Sequence, residues 1–293
     1  LREQRNERKI FLWEKAVSMR TRTITAIVGA IIIAPFLVFF DTYAGAALIQ
    51  IAGVICTYEL LNATGLKKWF LAVPLYILAL GLPLLVYFKE NENFFRYSAV
   101  IFFLLSIYML TVSVFSKGKI QVDNTSVLFT MSFYVLMSLN CLYLLRTEEQ
   151  GALLYMLPLV TSWSTDIFAY FSGRLFGRHK LIPDVSPKKT VEGAVGGFVC
   201  SVGITVLYGL LMKIFFEASP NYLNLIIAGT LMSIASMAGD LIASLVKRHY
   251  GIKDYGWLLP GHGGALDRID SVLAAAPLLM ILHELPMGFA LFR

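Results

Sequence analysis

The stretch PGHGGALDRID, residues 260–270, sets Gly261, Gly263 and Gly264 directly before two aspartates, Asp267 and Asp270. On a helix that spacing puts both carboxylates on one face. Glycines ahead of a helix start also let backbone N–H groups approach an anion at its positive end. Upstream, Asp240 sits inside a long apolar run, where an ionised carboxylate costs about 2.5–3.5 kcal/mol by insertion scales. Asp240, Ser244, Lys247 and Arg248 stand at i, i+4, i+7 and i+8, so a helix gathers them on one face about 100° wide. Lys253, His262 and Arg268 lie close by in sequence. Carboxylates among cations are what a site needs to hold a divalent ion and a polyphosphate together. Oxygen-only ligands suit Mg²⁺, which takes one or two carboxylates and leaves its other positions to water and substrate phosphates. Zinc would need more His or Cys. The plainer alternatives are an interhelical ion pair with snorkelling Lys and Arg, and aspartates that only complement a helix dipole.

A second patch, SPKKTVEG at residues 186–193, has Ser186 before Pro187. That pair predicts a helix start with Ser as N-cap and Pro at the first position. Lys188, Lys189 and Thr190 would then surround an N-terminus able to bind phosphate, unless the lysines only mark the side of the membrane. Asp166, with Tyr170 one turn on, is another acid in an apolar run.

The elements that must position these groups are membrane helices. Of the 293 residues 57% are hydrophobic and 15% charged, against about 25% charged in soluble domains, and mean hydropathy is +0.70. A span needs about 20 apolar residues, and continuous runs near 23–40, 44–61, 69–88, 97–115, 127–145, 153–171, 195–216, 223–246 and 272–292 predict nine. Because the runs do not alternate, helices are expected: an all-α, polytopic protein. The basic residues gather in alternate connections, at Lys67 and Lys68, at Lys117 and Lys119, from Arg174 to Lys189, and from Lys247 to Arg268. The positive-inside rule then places the N-terminus in the cytoplasm and the C-terminus outside. The net charge of +6 follows from those loops and does not argue for nucleic acid. Cys56, Cys141 and Cys200 lie in apolar runs without paired spacing, which excludes a disulfide framework.

Residues 1–22 read as a basic interfacial or leader segment, with Met19 a plausible start. Residues 23–150 read as scaffold helices one to five, and residues 151–293 as catalytic helices six to nine with their loops. YAGA at 43–46 looks like a signal-peptidase site, but the preceding run is too long for a signal peptide. Glu59 and Glu284 stand in apolar runs without an assigned role.

Ser244, Lys247, Arg248, Lys253, Asp254, Gly256, Pro260, His262, Gly263, Gly264, Asp267, Arg268 and Asp270, at these spacings, resemble the C-terminal signature of phosphatidate cytidylyltransferases, also called CDP-diacylglycerol synthases. SPKKTVEG resembles that family's second block, and Asp166 with FSGRLFG fits the segment before it. The resemblance implies a multi-pass enzyme of phospholipid biosynthesis that joins CTP and phosphatidic acid, with Mg²⁺ and room for a second cation. It implies Asp240, Asp267 and Asp270 at the metal, with Lys247, Arg248, Arg268 and His262 in the catalytic set. Ser186, Lys188, Lys189, Thr190, Lys253, Gly263 and Gly264 would hold the nucleotide. The expected partners are CTP, phosphatidic acid and membrane lipid, with a homo-oligomer allowed. The expected place is the plasma or inner membrane, with the site facing the cytoplasm. The rival class is an ion or solute transporter using intramembrane acids.

Overall fold

The computed structural model describes residues 40, 42–88, 91–256, 263–284 and 289–292, the side chains of 91 and 92 aside. The leader, Met19 and the expected first span up to residue 39 lie outside them, as do Pro260, Gly261 and His262. The described residues form nine helices: α1 Tyr43–Thr64, α2 Trp69–Tyr87, α3 Asn91–Phe115, α4 Val122–Thr147, the single turn α5 Gly151–Leu154, α6 Met156–Phe176, α7 Val191–Phe216, α8 Tyr222–His249 and α9 Leu266–His283. The described chain is otherwise all-α except for one hairpin, β1 Lys180–Ile182 with β2 Ser186–Thr190.

Among the described residues seven helices are long and apolar enough to cross a membrane, with α5 and α6 taken together as Gly151–Phe176. The eighth, α9, is not one of them, because Asp267, Arg268 and Asp270 fall within its 18 residues. The apolar run expected at 272–292 therefore misplaces this element. Its helix begins at Leu266 and ends at His283, and the described tail beyond is not helical. That tail packs on the α7–α8 connection: Asn221 N donates to Leu291 O and Asn224 Nδ2 to Ala290 O, both at 2.9 Å. The run YAGA lies inside α1, whose first turn is capped by the Thr42 hydroxyl accepting from Ala44 N at 3.2 Å.

Helices α1, α2 and α4 pack together, and α9 lies against α4, α6 and α8. Contacts between loops sort them to two ends. The Tyr250 hydroxyl donates to Asn124 Oδ1 at 3.1 Å, joining the end of α8 to the start of α4. At the other end His283 Nε2 lies 3.5 Å from Glu148 Oε2, joining the ends of α9 and α4.

The closest helix pair is α6 with α7, and small residues make it possible. A Cβ on Gly197 would stand 2.7 Å from Thr165 O and 2.8 Å from Ala169 Cβ, and one on Gly193 2.7 Å from Ala169 O. Residues four apart on both helices form the seam, the small-xxx-small arrangement that lets membrane helices approach where lipid gives no hydrophobic drive. Deeper along the seam, hydroxyls take over: Thr161 pairs with Thr205 at 3.1 Å, Ser164 donates to Ser201 at 3.2 Å, and Thr165 pairs with Ser233 of α8 at 3.0 Å. Gly239 allows α8 to approach α9, since a Cβ there would lie 2.6 Å from Asp270 O.

Candidate active site

Ser186 and Pro187 do not start a helix. They open β2, which pairs antiparallel with β1, and the helix begins five residues later at Val191. Pro187 lacks an N–H, and an edge strand tolerates that as readily as a first helical turn does. The cap is Thr190, whose hydroxyl accepts from Gly193 N at 3.1 Å. Lys189 and the exposed Lys188 both line a cavity of about 420 Å³ with Thr190, Asp166, Tyr170, Arg174 and Asp240. Gly173 and Gly193 of the α6–α7 seam form part of its wall.

Asp166 of α6 and Asp240 of α8 line this cavity, and Asp270 of α9 lies within electrostatic range of both. Asp240 of α8 holds Lys189 Nζ at 2.6 Å through Oδ2 and accepts from the Ser244 hydroxyl at 3.3 Å through Oδ1. Asp166 of α6 lies in electrostatic range of Asp240 and Lys189, with the Ser271 side chain near its carboxylate. Asp270 of α9 lies in range of Asp240, Asp166 and Lys247, and its Oδ1 accepts from Ser271 N at 2.9 Å. Lys189 and Lys247 face four carboxylates, these three and Asp267, so the cluster is short of positive charge.

Asp267 is engaged otherwise. Its Oδ1 takes Lys247 Nζ at 2.7 Å, and its Oδ2 accepts from Tyr255 N at 2.8 Å and Gly264 N at 3.0 Å. It ties the loop after α8 to the first turn of α9. Gly263, at φ 84°, has a backbone conformation that favours glycine, and its would-be Cβ would make a tight 3.1 Å contact with Asp267 Oδ2. Lys247 also stands 5.5 Å over the Tyr255 ring. Burial, with Asp267 and Asp270 nearby, pushes the Tyr255 phenol above its ordinary pKa. It stays a donor, to Ala243 O at 3.0 Å.

The expected set thus divides. Asp240, Asp270, Lys189 and Ser244 come together, Lys247 and Asp267 pair beside them, and Lys188 and Thr190 line the cavity. Arg248 instead braces the hairpin, with Nε donating to Val185 O at 3.3 Å. Lys253, Asp254 and Arg268 are exposed, and His262 lies outside the described residues. Asp166, Tyr170 and Arg174 join the site from one face of α6; their i, i+4, i+8 spacing was a signal available for all three. Ser271 carried no signal.

Among the described residues no three His, Cys, Asp or Glu side chains close into a ready-made metal cage. A divalent ion that takes few protein ligands still fits the donor set, which is all oxygen and has an excess of carboxylate.

The chain is similar to known proteins along most of its length. The cytidylyltransferase family profile matches residues 20–285. A protein of Staphylococcus saprophyticus named phosphatidate cytidylyltransferase is 35% identical over 271 residues, 90% of this chain and 98% of its own length. Proteins of the same name from Staphylococcus epidermidis and Staphylococcus aureus are 34% identical over 268 residues, with the same coverage.

Proposed function

Since the chain belongs to the cytidylyltransferase family, we propose that it transfers the cytidylyl group of CTP to phosphatidic acid, giving CDP-diacylglycerol and pyrophosphate. The observation that carries this reading is that Asp166, Asp240 and Lys189 line one cavity, with Asp270 in electrostatic range of both acids. A lipid phosphate comes from the bilayer and a nucleotide from water, so their site must be polar, set among membrane helices and open at one end. A cavity walled by α6, α7 and α8 and roofed by a lysine-bearing hairpin meets that demand.

Asp240 and Asp166, the two acids that line the cavity, would hold Mg²⁺, which supplies charge neutralisation on the triphosphate when bound. Lys189 is shared: in the free protein it neutralises Asp240, and with substrate present it turns to phosphate oxygens 2.7–2.9 Å away, the usual length of a charge-assisted bond. Lys188 and Arg174, exposed on the cavity rim, draw the anionic substrates in. Lys247 holds Asp267 in place, and Asp267 in turn ties Tyr255 N and Gly264 N to the start of α9. The phosphatidate oxygen, already anionic at neutral pH, attacks the α-phosphorus of CTP. The new O–P bond forms as the bond to pyrophosphate breaks, and no proton need be removed by a general base. Catalysis on this reading is positioning and electrostatics. The hairpin and the other basic loops would face the cytoplasm, at the plasma or inner membrane.

The test is to incubate purified protein with phosphatidic acid, Mg²⁺ and each nucleoside triphosphate in turn, following pyrophosphate and lipid product. CTP should give both in equal amounts. Absence of CTP-dependent pyrophosphate release from folded protein would overturn the assignment.

A further inference from the structure

Glu59 belongs to α1, in the half of the chain with few polar groups inside its helices, and is 2% exposed. A buried carboxylate is costly unless its oxygens are paired. Here Oε1 accepts from Ala265 N at 2.8 Å and Oε2 from Leu266 N at 2.9 Å. These are N–H groups at the start of α9, where a helix leaves its donors unsatisfied. The local residue at the cap position, Ala265, makes no side-chain cap bond. Glu59 therefore caps α9 from 206 residues away in sequence.

The loop is shaped around that carboxylate. A Cβ on Gly256 or on Gly264 would lie 2.5 Å from Glu59 Oε1, so glycine on each side makes room for it. Gly264 N donates to Asp267. Three successive N–H groups, 264 to 266, are thus divided between Asp267, beside the site, and Glu59, outside it. Glu59 does not line the cavity, and both its oxygens are already committed.

We propose that Glu59 is a positioning residue for cytidylyl transfer: it fixes where α9 begins, and through that the placement of Asp267 and Asp270 against Asp240. The inference rests on the transfer reading given above. Asp270 is one turn beyond the capped N–H of Leu266, so loss of the cap lets the first turn shift, and a shift of about 1 Å at a reacting site can cost on the order of 100-fold in rate.

Glu59→Gln keeps the shape but turns an amide N–H₂ toward one of the two N–H donors, so half the cap is lost. Turnover per folded molecule should fall about 10- to 100-fold. KM for CTP and for phosphatidic acid should stay within about twofold, with the melting temperature and monodisperse fraction close to the parent's. Gly256→Ala presses on the same carboxylate from the opposite side and should show the same split. The parent and Asp240→Asn are assayed alongside. A parent that releases no pyrophosphate with CTP sinks the transfer reading and this inference with it. An active parent beside a Glu59→Gln protein whose turnover is within twofold, or falls only in proportion to its folded fraction, sinks the positioning role alone. If Glu59→Gln does not fold, Gly256→Ala decides: unchanged turnover there, or failure to fold as well, overturns the inference.

Discussion

Lys247 Nζ lies 2.7 Å from Asp267 Oδ1, with the two side chains 11% and 4% exposed. Asp267 has two backbone donors besides, while Lys247 has the Tyr255 ring. Removing one partner of such a pair leaves the other charge buried, a loss of about 3–5 kcal/mol. Lys247→Met should therefore lower the melting temperature in detergent sharply. The double variant Lys247→Met with Asp267→Asn should recover part of that loss, because no unpaired charge is left. Additive losses in the double variant would show that the pair is not coupled.

Lys189 and Asp240 pair at 2.6 Å, but each side chain is 26% exposed, so water screens the pair and it contributes only about 0–1 kcal/mol. Asp240→Asn should melt close to the parent and yet lose about 100- to 1,000-fold in CTP-dependent turnover, the scale of removing an electrostatic group from a reacting centre. Lys189→Met should behave likewise. Parent-like pyrophosphate release from either variant would take that residue out of the chemistry.

The face shared by Asp240, Ser244 and Lys247 was legible because helical period alone determines it. What each member touches was not. Lys189 reaches Asp240 from a strand 51 positions earlier, and the Ser-Pro pair ahead of it suits a helix start and an edge strand equally well. The acids at 267 and 270 read alike by spacing, yet one accepts from two backbone N–H groups and the other faces Asp240 and Asp166. Backbone donors leave no trace in a sequence. The α6–α7 seam was equally hidden, since its glycines and alanines look like filler in an apolar run until a second helix is laid against them. Helix ends ran past the apolar runs at Asn91, Val122 and Leu266, because hydropathy marks what lies in lipid and not where the backbone stops winding.

That seam gives a prediction about packing. Gly197→Val would drive a branched side chain into Thr165 O and Ala169 Cβ, both already within 3 Å of a bare Cβ. Overpacking of this kind costs about 1–3 kcal/mol. Because α6 and α7 also wall the cavity, spreading them should raise KM for CTP as well as lower the melting temperature. Gly203, whose Cβ would meet nothing within 4 Å, supplies the control: Gly203→Val should leave both unchanged.

The two ends of the bundle make a last prediction, on orientation. Tyr250 bonded to Asn124, and His283 beside Glu148, bring alternate connections to common ends. Lys119 and Arg178 are exposed in connections of the basic end, Glu149 and Glu217 in those of the other. In a background without Cys56, Cys141 and Cys200, single cysteines at these four positions should divide two and two. Lys119→Cys and Arg178→Cys should react with a membrane-impermeant maleimide only in inverted vesicles. Glu149→Cys and Glu217→Cys should react only in right-side-out vesicles or intact cells. The reverse pattern would put the lysine-bearing hairpin on the side away from cytoplasmic nucleotide and remove the route by which CTP reaches Lys189. A mixed pattern, with Lys119 and Arg178 on different sides, would mean that one of the helices between them does not cross.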